Sequence, residues 1–144
     1  MRHLSKLAVD DVWPRRLAAV LFAGVALATV SGCSSPCDNS FVSELPSPDG
    51  MVKAVVFTRD CGATVRTYTE VSVLAAGAAL PSGSANALEV GDNPDHPIER
   101  SGPAIDVRLN WTSSRRLSIS SPKAAAVDRR VASVSGVAVD YGTF

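Results

Sequence analysis

Side chains able to do chemistry are few in this chain of 144 residues. Cysteines stand at 33, 37 and 61, and beyond residue 33 the one histidine is His96. Asp92, Asp95, His96 and Glu99 lie within eight residues of one another and offer the oxygen and nitrogen donors a hard cation takes. Their spacing departs from the D-x-[DN]-x-[DN]-G pattern of calcium loops, and Pro94 and Pro97 read as a solvated loop. No metal or other cofactor is therefore expected. Cys61, in Asp60-Cys61-Gly62, would be a nucleophile only with a base beside it, and the sequence offers only His96. Ser120-Ser121-Pro122-Lys123 has the S-x-x-K form of serine–lysine enzymes. Here it ends an apparent strand, Pro122 intervenes, and no S-D-N or K-T-G follows. The inventory speaks against an enzyme.

Cys33 has the clearest chemistry. It closes Val30-Ser31-Gly32-Cys33, an aliphatic residue and two small ones before a cysteine, which resembles the bacterial lipobox. Small residues let extended backbone enter a peptidase, and the thiol can form a thioether to diacylglycerol. The context fits: Arg15 and Arg16 precede the uncharged run Leu17–Val30. As a helix, its fourteen residues would cover about 21 Å, short of the roughly 30 Å hydrocarbon core but right for an export signal. Residues 1–32 are thus expected to be a cleaved lipoprotein signal peptide and 33–40 a lipidated tether. A single domain would occupy 41–144. The membrane is the expected partner, through lipid on Cys33, and the location is the cell envelope. Arg15-Arg16 does not distinguish Tat from Sec export.

Export changes the meaning of the other two cysteines. In an oxidising compartment Cys37 and Cys61 most simply form a disulfide, worth about 3.5 kcal/mol on the chain-entropy account. A catalytic Cys61 is the alternative. Charge adds little: of 14 basic and 14 acidic residues, four and two precede Cys33, leaving 10 and 12, net −2. Without a basic patch, nucleic acid is not an expected partner.

The elements that must position these residues read as strands. Candidates are Phe41–Leu45, Met51–Arg59, Thr67–Ala75, Ala87–Val90, Ile105–Trp111, Arg116–Ser120, and Arg130–Val134 with Val137–Tyr141 as a hairpin across Ser135-Gly136. Ser47-Pro48-Asp49-Gly50 is a tight-turn sequence. Met51–Arg59 is mostly apolar, as in a central strand. Thr67–Ala75 alternates, setting Tyr68, Glu70 and Ser72 against the threonines and valines. Residues 77–103, rich in Gly, Pro and Ser, read as long loops around one short strand. A helical turn is conceivable only at Lys123–Arg129. The expectation is an all-β domain, an antiparallel meander or sandwich of about seven short strands.

The stretch SPDGMVKAVVFTRDCGAT, Ser47 to Thr64, resembles a family of small bacterial exported proteins without known activity. They share an S-P-D-G-x-x-K-A-V-V-F-x-R-D-C-G-A-T core and tend to have a cysteine upstream, matched by Cys37. Val71–Leu74 and Val107–Trp111 are in keeping. The resemblance implies the Cys37–Cys61 bridge and a compact β domain, and no activity. The SPDG turn and the apolar strand after it also look like one blade of a TolB-type β-propeller, with Trp111–Leu117 as a degraded second copy. A propeller needs at least about four blades of roughly 40–50 residues, and this chain holds two at most. The likeness therefore points to a blade-like meander.

Two functional classes follow. One is an envelope binding or structural module, contacting a protein or polysaccharide through an edge strand or the 77–103 loop. Toxin-immunity-type inhibition would be a special case. The other is an envelope hydrolase, for which a base is scarcely available.

Overall fold

The computed structural model describes residues 37–98, 100 and 102–144. They form nine strands and no helix: β1 (Asp38–Pro46), β2 (Val52–Asp60), β3 (Tyr68–Ala75), β4 (Leu88–Gly91), β5 (Arg108–Ser113), β6 (Arg116–Ser121), β7 (Ala126–Arg130), β8 (Ser133–Val134) and β9 (Val137–Thr143). The all-β expectation holds, as two sheets ordered β1-β2-β3-β4-β7 and β5-β6-β9-β8. The first four strands are an antiparallel meander, the blade-like element. β5–β6 is a hairpin joined in parallel to β9, so the second four-stranded sheet is not a second blade-like meander.

The core lies between the sheets. Ala54, Val56, Val71, Val73, Leu88 and Val90 from one pack with Leu117, Ile119, Val137 and Val139 from the other. β2 is buried on both faces, as its continuous apolar sequence requires. Its second face, through Val55 and Phe57, packs against Ala85, with Leu74 and Leu80 alongside. The β3–β4 connection thus folds back over the sheet.

Turn chemistry sets the hairpins. At Ser47–Gly50, Gly50 takes φ 67° and its N–H donates to the Ser47 carbonyl at 2.9 Å. At Ser135-Gly136 both residues have positive φ, 51° and 73°, the type I′ geometry that matches strand twist.

Four expectations need correction. The tether does not run to residue 40, because β1 begins at Asp38 and pairs there with Asp60. Lys123–Arg129 contains no helical turn: a reverse turn leads into β7, which pairs with β4. A seven-residue helix cannot sustain itself, and the open edge of β4 overrides the alanines' propensity. Arg130–Val134 is not one strand but the end of β7 and the short β8. The sheets are also not wholly antiparallel. β6 and β9 run parallel, because the chain crosses to the other sheet as β7 between them.

Candidate functional site

The start of β1 is clamped. Cys37 and Cys61 form a disulfide, with S–S 2.04 Å and Cα–Cα 3.9 Å, beside the Asp38–Asp60 pair that starts the β1–β2 ladder. A bridged Cys61 has no thiolate to attack with. Cys33 lies outside the described residues.

The His96 segment does not assemble a donor set. Asp92 is ion-paired with Arg100, and its carbonyl accepts from Arg66 at 2.7 Å. Asn93 uses its side-chain oxygen to accept the Asp95 N–H, and its carbonyl takes the His96 N–H at 3.1 Å. Among the described residues no three His, Cys, Asp or Glu side chains converge on a metal-sized site. Glu99 lies outside the described residues. In the S-x-x-K run Ser120 is half-buried on β6, while Lys123 is exposed and its backbone N–H bonds the Phe144 carbonyl.

A polar cluster lies on the face of β3 that carries Glu70 and Ser72. Glu70 is only 1% exposed. It sits across from Phe57 on β2 and Glu89 on β4, beneath the folded-back connection, and accepts the Ala85 N–H. Around it, side chains hold that connection by its carbonyls. Asn39 Nδ2 donates to Pro81 and Gly83 at 2.6 and 2.8 Å, Arg59 to Ser82 at 3.2 Å and Arg129 to Ala85 at 3.2 Å. Asn86 exchanges two bonds with the Val73 backbone, at 2.8 and 2.9 Å. Burial pushes the Glu70 carboxyl above its ordinary pKa. The Ala85 N–H opposes that, Glu89 adds to it, and Arg59 and Arg129 oppose it again. Among the described residues every buried side-chain nitrogen and oxygen has a partner, so the cluster works as a latch.

Tyr141 is a second tie. Its hydroxyl accepts the Val131 N–H at 3.0 Å and donates to the Ala87 carbonyl at 2.8 Å, joining β9 to the chain before β4. Burial raises its pKa, against the Val131 N–H bond and the Arg130 charge.

The sheet edges are what remains outward. β1 is the edge on one side and β7 on the other. A cavity of about 390 Å³ lies between Phe41–Ser43 and Gly102–Val107. A shallower one of about 390 Å³ lies on β7 beside Asp128, Arg129 and Arg130.

Compared with known proteins, the chain matches no protein-family model, no curated protein and no solved structure.

Proposed function

We propose that this chain is a lipid-anchored module of the bacterial cell envelope, fixed through Cys33 and acting by binding rather than by catalysis. It is placed with the small exported proteins that its Ser47–Thr64 core resembles. The observation that carries this reading is the Cys37–Cys61 disulfide, which begins four residues beyond the lipobox cysteine. Structural disulfides persist in oxidising compartments, where an exported lipoprotein resides. The compact, cross-bonded sandwich suits a rigid support. The edge strand β7, with exposed Asp128, Arg129 and Arg130, is the surface it offers to an envelope protein or polysaccharide.

The test is Cys33→Ser. Processing should stop, and the protein should no longer fractionate as the mature membrane form. A Cys33→Ser protein still cleaved before residue 33 and still membrane-bound would overturn the reading.

A further inference from the structure

We propose that β1 lies along the membrane surface and presents its exposed apolar side chains to the lipid; this rests on the anchor proposed above. Large apolar side chains left exposed are concentrated at the start of the domain. Phe41, Val42 and Leu45 are on β1, and Met51 is in the turn that ends it, with exposures of 58, 42, 36 and 64%. The register sets Phe41 across from Phe57 and Leu45 across from Ala54, so the apolar side chains flank both faces of an edge stripe that runs roughly 30 Å at about 3.3 Å per residue.

The tether commits this stripe to lipid. Four Cα–Cα steps separate Cys33 from the disulfide-clamped Cys37, at most about 14 Å of chain. The bridge fixes Cys37 beside the first pair of the β1–β2 ladder. A domain held so closely by the end of β1 can lay that edge strand flat on the headgroups. In the middle of the stripe Glu44 is neutralised by Lys53 at 2.9 Å.

The backbone of β1 disfavours the other occupant, an added strand from a second protein. Its register shifts between Phe41 and Ser43, leaving Val42 as a bulge, and bulges interrupt the regular ladder that strand addition needs. Farther along, the Leu45 carbonyl already accepts the Trp111 indole N–H at 3.0 Å. An edge with exposed apolar side chains and an interrupted backbone suits a fluid apolar surface.

The experiment uses the mature lipidated protein in vesicles of phosphatidylcholine and phosphatidylglycerol. Single nitroxides are attached to Val42→Cys, to Met51→Cys, and to Ser133→Cys on β8. With Cys33 acylated and Cys37 bridged to Cys61, the introduced thiol is the one that reacts. Labels at 42 and 51 should lose collisions with a water-soluble nickel chelate and gain collisions with membrane-dissolved oxygen. The label at 133, on the edge of the second sheet opposite β5, should do the reverse. Equal access of nickel to all three labels overturns the inference while leaving the anchor intact. So does spin–spin broadening at 42 that vanishes on dilution with unlabelled protein, which would show a second copy on β1. Protein that fails to stay with the vesicles overturns the anchor reading and this inference with it.

Discussion

Replacing Glu70 separates the two things its carboxyl does: accepting a buried hydrogen bond and carrying a buried charge. Glu70→Leu removes the acceptor and strands the Ala85 N–H beneath the folded-back connection. An orphaned buried donor costs about 1–3 kcal/mol. Taking about 2 kcal/mol, and an unfolding entropy near 2 cal/mol/K per residue over the described chain, the thermal midpoint should fall by about 9 °C. Arg59 and Arg129 keep their bonds to Ser82 and Ala85, so the loss should not spread further. Glu70→Gln keeps an acceptor and removes the charge, which isolates the pH term. Because the folded pKa is raised above its ordinary value of 4.5, the native state holds this proton more tightly than the unfolded chain. Below the ordinary value the proton is bound in both states and the Glu70 contribution is fully present. It is lost as pH rises through the raised folded value. Wild type should therefore lose stability relative to Glu70→Gln over that window. Paired urea titrations from pH 4 upward read the difference directly. Wild type gaining on Glu70→Gln as pH rises would refute the argument, because it would mean that Arg59 and Arg129 hold the group as a carboxylate.

Removing the bridge with Cys37→Ala and Cys61→Ala should cost about 3.5 kcal/mol in urea unfolding, and the intact mature protein should show no reactive thiol on labelling without reductant. A labelled, low-pKa Cys61 would revive the nucleophile. Asp95→Ala with His96→Ala should leave stability within about 0.5 kcal/mol, as exposed-loop changes usually do. A larger drop, or a metal present in native protein and lost in that variant, would show a site where the loop is placed. Tyr141→Phe should cost about 1 kcal/mol, read as a lower urea midpoint, because the hydroxyl's bonds to Val131 and Ala87 go while the Val131 N–H keeps its bond to the Ala87 carbonyl at 3.2 Å; an unchanged midpoint would show that the hydroxyl ties nothing down.

How much of this was legible follows from what local sequence encodes. Ser47–Gly50 and Ser135-Gly136 announce their turns because positive φ demands particular residues, and both form. Met51–Arg59 was readable as a central strand because it has no polar face. Its second cover was not, since nothing local says that Leu80 and Ala85 fold back onto Phe57. The burial of Glu70 is hidden from the alternation of its own strand, although apolar residues on both faces of its neighbour β2 signal that something lies above. The shift from Ile105–Trp111 to β5 at Arg108–Ser113 has a similar origin. Ile105 is buried as its alternation implies, but its N–H goes to Thr69 Oγ1 at 2.7 Å rather than to a ladder. Pairing between distant segments also decided β7 and the parallel β6–β9 contact, where local propensity pointed elsewhere. At the candidate sites, the disulfide was readable from the cysteine count and from the resemblance of the Ser47–Thr64 core. The latch was not, because Asn39, Arg59, Glu70 and Arg129 come from four different strands.

The proposed anchoring depends on Cys33, and mass spectrometry of the N-terminal peptide of the membrane-extracted protein tests it most directly. The peptide should begin at Cys33, with a diacylglyceryl thioether on that residue and an acyl chain on its amino group. A peptide that begins upstream of residue 33, or at Cys33 with no lipid attached, would contradict the account.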